Sequence, residues 1–468
     1  MKLNFTLLII FCLLLFSIDA NSQNIASTLT GGEYKFNANK TPCLTDVQRE
    51  EVLLKIKSNI AVLKSQKRLA YDGAQQRATH PLFSWPVKKK EGTPYHEVWA
   101  ISNYVDQNPE FPNKVLDYNC GSKTYDNTAG YNHMGVDIYT WPFTWKMMDY
   151  DEAVIVAAAP GQIIDIGRNQ FDRSCSFNNN VWNAVYIQHA DGSVALYGHM
   201  KKNSPTTKSI GDMVERGEYL GIVGSSGNST GPHLHFEVYS SINPDVFIDP
   251  FAGKCNDMNT DSWWENQKPY VNTNINALLT HSAPPILPTC PDQEITNEKN
   301  IFAPGEEVYV AVYLRDQMKG TKINLEVLRP NGSVYNNWDF DLAKDYSSSY
   351  WYWIIEVPSV QGEWTWRATY QGQVLDHKFT VKTLGIEDED FQTASIYPNP
   401  FNDVVNIQSK SPVKKVSVVD ILGKTVMAKA NAAASINEIN LESLSKGLYF
   451  LTLEGNDNQK KIIKMIKE

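Results

Sequence analysis

The sequence predicts a mainly β protein of several domains, with one amphipathic helix near the N-terminus. The chain has 468 residues, which is too long for one ordinary domain. Hydrophobic residues make up 42% and charged residues 20%, as expected for a globular protein. From Phe83 onward, short alternating apolar runs are separated by Gly, Asp and Asn, a pattern typical of antiparallel strands.

Residues 1–22 are predicted to be a secretory signal peptide. Lys2 supplies the positive start, residues 7–16 form an uninterrupted apolar run, and Ala20 precedes a plausible small-residue cleavage site. The run is well short of the roughly 20 residues that a membrane-spanning helix needs. We therefore expect a secreted protein with no membrane span in its mature form.

The helix is predicted at residues 46–68. Thr45 and Gln48 have the spacing of a capping box, and apolar residues then repeat at helical intervals. The N-terminal segment 23–82 that contains it is either a helix packed on the next domain or a detachable pro-segment.

Charge and cysteine content exclude other classes of protein. The formal net charge is -9 and no long Lys/Arg block occurs, so nucleic acid is not an expected partner. Five cysteines follow the signal peptide, which fits two disulfides and one free thiol, although the sequence does not give their connectivity. Because none forms a CxxC pair, a thiolate zinc site is not expected.

The pattern of strands also predicts how the chain is organised. Asp191-Gly192 marks a tight hairpin, and "MVERGEYLGIVG" suggests a second one. After a linker at 254–294, regular alternating strands predict an immunoglobulin-like β-sandwich at 295–382. Its tryptophans, which could form a carbohydrate platform, are expected to pack in the core. An acidic linker at 383–394 leads to a small β-sandwich at 395–468.

Four of the nine histidines fall in three short motifs. His233 and His235 lie two residues apart on a predicted strand. Because side chains alternate between the two faces of a strand, both histidines point to the same face, with their bases roughly 7 Å apart. "YNHMGVDIY" contributes His133 and Asp137, and "ALYGHM" contributes His199. A catalytic zinc needs three N/O ligands and one open coordination position. His133, Asp137 and one of the two strand histidines would supply the three ligands.

These motifs carry a family resemblance. The order HxxxD, then Tyr-x-His, then "STGPHLHFE" resembles the lysostaphin-type (LytM-like) zinc endopeptidases over residues 83–253. The resemblance implies an antiparallel β-sheet peptidase domain that cuts peptidoglycan cross-links or glycine-rich peptides. It further implies zinc on His133, Asp137 and His235, with His199 and His233 as the catalytic pair; which of the two is the base stays open.

The last segment, with "YPNPF", "VVDILGKTV" and "LSKGLYFLTLEG", resembles the C-terminal sorting domains of the type IX secretion system. That resemblance implies export through the periplasm to the cell surface or the medium, with the secretion machinery as a partner. Two alternatives to a wall peptidase remain. One is a non-catalytic wall-binding or regulatory module, and the other is a peptidase that acts on extracellular glycine-rich proteins.

Overall fold

The computed structural model describes residues 30–36, 42–71, 79–240, 246–288, 290–356, 359–383, 391, 393–431, 433–455 and 459–468. The predicted signal peptide and most of the predicted acidic linker lie outside the described residues. Within the described ranges, no helix is long and apolar enough to cross a membrane.

The N-terminal segment contributes one short strand and one helix, β1 (Thr30–Glu33) and α1 (Asp46–Ser65). The predicted capping box is present, because Thr45 and Gln48 satisfy each other's backbone N–H groups. The buried face of α1 carries Leu53, Ile56 and Leu63, and burying each such side chain stabilises the packing by about 1.5–3 kcal/mol.

The next region contains eleven strands and a short helix. They are β2 (Val87–Lys89), β3 (Trp99–Asn103), β4 (Val136–Thr140), α2 (Thr144–Asp149), β5 (Ala153–Val156), β6 (Gly161–Gly167), β7 (Ala184–Gln188), β8 (Val194–Gly198), β9 (Met213–Val214), β10 (Tyr219–Ile222), β11 (His233–Tyr239) and β12 (Phe247–Ile248).

Most of these strands form one antiparallel sheet in the order β3-β4-β11-β8-β7-β6-β9, with β12 paired to β11. The predicted Asp191-Gly192 hairpin is present as β7 and β8. The second predicted hairpin is wrong, because β9 pairs with β6 while β10 pairs with β5 in a separate sheet. Two short runs on either side of a turn look like a hairpin, but each strand finds its partner elsewhere in the chain.

A β-sandwich follows. Its strands are β13 (Asn274–His281), β14 (Ile301–Phe302), β15 (Glu307–Gln317), β16 (Lys322–Leu328), β17 (Val334–Asp341), β18 (Tyr346–Glu356), β19 (Gly362–Tyr370) and β20 (Gln373–Val381). One sheet has the order β1-β18-β15-β13 and the other β14-β20-β19-β16-β17. Trp364 and Trp366 are fully buried in the core of this sandwich. Strand β13 lies within residues 254–294, where a linker was expected, because seven of those residues pair with β15.

The C-terminal segment forms a second, smaller pair of sheets. Its strands are β21 (Ser395–Tyr397), β22 (Val404–Gln408), β23 (Lys415–Asp420), β24 (Thr425–Ala430), β25 (Glu438–Asn440), β26 (Gly447–Glu454) and β27 (Lys460–Lys467). The sheet orders are β21-β22-β25 and β24-β23-β26-β27. Val416, Val418, Leu451 and Leu453 alternate toward the core, as their spacing predicts. The predicted fold class, mainly β with one helix before the central sheet, is confirmed.

The described cysteines form two disulfides, Cys120–Cys255 and Cys175–Cys290. Cys43 is the remaining thiol and is buried. The expectation of two disulfides and one free thiol is therefore confirmed, and the structure supplies the connectivity that the sequence could not.

Candidate metal centre

Three neighbouring strands bring four of the five predicted site residues together. In the central sheet, β11 lies between β4 and β8. The register places His235 opposite Asp137 on one side and opposite Gly198, the residue before His199, on the other. Because side chains two residues apart on a strand share a face, His233 faces the same site.

His133 precedes β4 and completes the group. Its Nδ1–H donates to the Tyr104 carbonyl at 2.7 Å, and its Nε2 lies 3.1 Å from Asp137 Oδ2. Burial lowers the pKa of His133, but the Asp137 carboxylate outweighs burial and raises it to about 9. Asn103 donates to the same carboxylate oxygen at 2.9 Å, which fixes the position of Asp137.

His235 is held between two carboxylates. Its Nδ1 lies 2.9 Å from Asp137 Oδ1, and its Nε2 lies 2.9 Å from Glu237 Oε2. Glu237 forms a buried ion pair with Arg49 of α1. Burial alone would raise the pKa of Glu237, but the Arg49 guanidinium lowers it to about 2. A carboxylate on the far nitrogen of a histidine is the usual way in which a metal-binding imidazole is oriented.

His199 and His233 form a pair whose ring centroids lie 4.3 Å apart. Each donates its Nδ1–H to a backbone carbonyl, of Ser226 at 2.6 Å and of Gly231 at 2.9 Å, respectively. This arrangement leaves both Nε2 atoms facing the site. Burial and the neighbouring His233 lower the pKa of His199, whereas Asp137 overcomes burial and raises the pKa of His233.

The residues fit a divalent metal of the zinc type. Ligand atoms of Cys43, His133, Asp137 and His235 lie within 4.8 Å of one another, as do those of Cys43, His199 and His233. The Nε2 atoms of His199 and His233 are buried and make no hydrogen bond among the described residues. Buried imidazole nitrogens without partners are costly unless a ligand or an ion satisfies them. A set of two imidazoles and one carboxylate matches the donors that zinc accepts.

The residues of this site that were not predicted from the sequence include Glu237, Cys43 and Arg49, besides Asn103. Glu237 could have been found, since it lies two residues after His235 and shares its strand face. The only signal for Cys43 was the odd number of cysteines in a predicted secreted chain. For Arg49 no signal exists, because its contact with Glu237 joins residues that are 188 positions apart.

The comparisons with known proteins agree with this geometry. Residues 132–249 match Peptidase family M23. The chain carries an M23 peptidase domain. Residues 395–468 match the secretion system C-terminal sorting domain. Both resemblances seen in the sequence are confirmed, while the exact domain boundaries stay predictions.

The curated relatives match a short part of the chain. It is 47% identical over 55 residues to the DD-carboxypeptidase/endopeptidase Mpg of Neisseria meningitidis, and this stretch is 12% of each protein. It is 37% identical over 62 residues to the peptidoglycan DD-endopeptidase ShyC of Vibrio cholerae, covering 13% of this chain and 14% of ShyC. The chain thus spans less than a sixth of the length of either relative.

Solved M23 structures are also similar. A catalytic-domain mutant of the prophage-encoded M23 protein EnpA from Enterococcus faecalis is 26% identical, covering 35% of this chain and 93% of that one, with a TM-score of 0.21. The catalytic domain of lysostaphin from Staphylococcus simulans is 25% identical, covering 27% and 83%, with a TM-score of 0.20.

Proposed function

We propose that this protein is a secreted zinc metalloendopeptidase that hydrolyses peptide bonds in peptidoglycan cross-links or in glycine-rich peptides. The observation that carries the proposal is the His199–His233 pair. Its two Nε2 atoms lie unpartnered beside a donor set of His133, Asp137 and His235. A purely structural metal site has no use for two further imidazoles of this kind.

In this proposal His133, Asp137 and His235 hold the zinc. Bound zinc supplies Lewis-acid chemistry, lowering the pKa of water and polarising a carbonyl oxygen. Asn103 and Glu237 keep two of the donors in place through hydrogen bonds to Asp137 and His235.

His199 and His233 act on protons at Nε2. One accepts the proton of the attacking water, and the other donates a hydrogen bond to the oxygen that gains negative charge. The Ser226 and Gly231 carbonyls fix each ring with its Nδ1 as a donor, so Nε2 is the atom that can change its protonation. Burial of both rings strengthens every electrostatic interaction in the site.

The C-terminal domain supports a role outside the producing cell. Because residues 395–468 match a sorting domain, we propose export through the type IX secretion machinery to the surface or the medium. Deleting this segment should then leave the protein in the periplasm. Two substrate classes remain, namely peptidoglycan and extracellular glycine-rich protein, and the similarity to the peptidoglycan DD-endopeptidase ShyC favours peptidoglycan.

The test uses the chain from Gln23 onward, with a specific protease site inserted between Tyr71 and Thr79 and cut after purification. The cut chain is incubated with peptidoglycan fragments and with oligoglycine peptides, with and without a chelator, and the products are read by mass spectrometry. Cleavage that the chelator abolishes would support the proposal and identify the bond.

The matched control is His233→Ala in the same cut chain. If the protein is an enzyme, this variant should still bind peptidoglycan but should no longer cleave it. Zinc-loaded chain that binds peptidoglycan without cleaving either substrate would contradict the proposal and favour a non-catalytic wall-binding module.

A further inference from the structure

The candidate metal centre is closed to any substrate in this structure. His133, His199 and His235 are 0% exposed, Asp137 is 1% exposed and His233 is 2% exposed. A peptidase must admit an extended peptide to its metal, so some element has to leave before catalysis. The described parts of the N-terminal segment 30–71, residues 30–36 with β1 and residues 42–71 with α1, contact the site through Phe36, Cys43 and Arg49.

One side chain of that segment reaches the metal donors themselves. Cys43 is 4% exposed, and its Sγ lies 3.7 Å from the Tyr125 hydroxyl. The thiol belongs to both donor groups: one with His133, Asp137 and His235, and the other with His199 and His233. Each group has its ligand atoms within 4.8 Å of one another. Cys43 therefore lies between the metal ligands and the catalytic pair.

The chemistry of a thiol suits that position. A thiolate is a strong zinc ligand, and adding it to two imidazoles and a carboxylate completes the four-coordinate set of a closed zinc site. Catalysis needs the fourth position open. The unpartnered Nε2 atoms of His199 and His233 are an independent sign that a ligand belongs here, because both atoms are buried.

We propose that Cys43 is a fourth ligand of the zinc and that the segment 30–71 holds the peptidase in a latent form. This inference rests on the proposed zinc peptidase function and adds its regulation. The thiolate occupies the coordination position that the reaction requires, and the ring of Phe36 lies against His233 of the catalytic pair.

Contacts on both sides of Cys43 hold the segment in place. On the C-terminal side, Arg49 pairs with Glu237 and donates to the Tyr239 hydroxyl at 2.8 Å. Leu53 and Ile56 of α1 join a buried cluster with residues of β6, β7, β8 and β11. On the N-terminal side, Phe36 stacks on Tyr139 at 4.4 Å between ring centroids.

Two further contacts place the segment against His233 and against the β-sandwich. Phe36 also lies edge-on to His233 at 5.7 Å between ring centroids. Strand β1 extends the sandwich sheet by pairing with β18. Opening the site therefore requires the whole segment to leave, which a single cut after Tyr71 would permit by separating it from the chain.

The first experiment measures latency. Uncut chain and chain cut at a protease site between Tyr71 and Thr79 are compared for hydrolysis and for alkylation of Cys43 by iodoacetamide. Hydrolysis should rise at least about tenfold on cutting, because only open molecules are competent. Cys43 should become reactive at the same step. Equal rates and equal alkylation before and after the cut would overturn the latency.

The second experiment asks whether the thiolate binds the metal, with a readout independent of activity. Uncut chain from Gln23 onward is loaded with cobalt(II) in place of zinc. The wild type should show a thiolate-to-cobalt charge-transfer band in the near ultraviolet. Cys43→Ser should bind cobalt without this band, while the matched control Leu44→Ala should keep it.

The outcomes separate the two proposals. Wild-type chain that binds cobalt without the thiolate band would overturn the role of Cys43 and leave the zinc site of His133, Asp137 and His235 standing. Failure of the wild type and of both variants to bind any cobalt would contradict the zinc site and the Cys43 proposal together.

Discussion

Arg49 of α1 and Glu237 of β11 form a buried ion pair that connects the N-terminal helix to the candidate metal centre. Glu237 uses its other oxygen to accept a hydrogen bond from His235, one of the proposed zinc ligands. A change in the position of the helix is therefore transmitted to the metal site through two hydrogen-bonded side chains.

Replacing Arg49 by Met should loosen the docking of α1. The change leaves the Glu237 carboxylate buried without its cation, and breaking such a pair costs about 3–5 kcal/mol. Hydrogen exchange of the α1 amides should report a fall of this size in the free energy of local opening.

Lys55→Ala is the matched control on the same helix. Lys55 pairs with Asp165 at 3.0 Å, but its side chain is 55% exposed, so the pair contributes only about 0–1 kcal/mol. Equal protection losses in Arg49→Met and Lys55→Ala would show that the buried pair does not hold the helix.

Alanine at His199 or His233 should abolish catalysis without removing the metal. Loss of a general acid or base lowers kcat by about 10²–10⁴-fold, whereas neither residue belongs to the proposed donor set. Steady-state kinetics of the cut chain and zinc analysis of the same samples make this measurement. If either variant lost its zinc along with its activity, that histidine would be a ligand and the assignment would be wrong.

Asp137→Asn should weaken zinc binding, in contrast to the alanine variants of His199 and His233. Asp137 lies within hydrogen-bonding distance of His133 and His235, and the carboxylate supplies the only negative charge among the three predicted ligands. Changes to residues that merely orient a ligand cost 10–100-fold in affinity, so loss of a ligand charge should lower zinc affinity at least about 100-fold. Competition with a chelator measures the affinity, and an unchanged value would contradict the ligand set.

That the proposed ligands lie together could be predicted from the sequence because their signals are local. His233 and His235 lie two residues apart on one strand, and His133 and Asp137 lie in a single short motif. The strand alternation that predicted the sheets is equally local. Side chains that a few neighbouring residues place on one face can be recognised without knowing the fold.

The features that could not be predicted from the sequence depend on contacts between residues that are far apart in the chain. Strands β9 and β10 flank one turn yet pair with different partners, so the turn alone gave the wrong answer. Cys43 has no local motif, and its role becomes visible only when the fold brings it to histidines that lie 90 or more residues away. A sequence pattern carries no information on such contacts unless both partners belong to a known motif.

The β-sandwich should lose stability in mild acid because of a buried histidine. His281 donates its Nδ1–H to the Thr296 carbonyl at 2.7 Å. Burial lowers its pKa from 6.5 to about 4, although Glu298 opposes the shift. Below pH 6.5 the imidazole takes up a proton in the unfolded chain, whereas in the folded sandwich it stays neutral until about pH 4. The stability of the sandwich is therefore full above pH 6.5 and falls as the pH is lowered from 6.5 to about 4.

His281→Asn should remove this share of the pH dependence, because asparagine keeps an N–H donor and does not titrate. Between about pH 7.5 and about pH 5, the variant should lose about 2 kcal/mol less stability than the wild type. Urea unfolding followed by tryptophan fluorescence measures the difference. Tyr313→Phe is the control: it removes the hydroxyl that lies 3.2 Å from His281 Nε2 but keeps the imidazole, so it should lower stability at both pH values and preserve the slope. If His281→Asn kept the wild-type dependence of the free energy of unfolding on pH, the acid sensitivity would belong to another group.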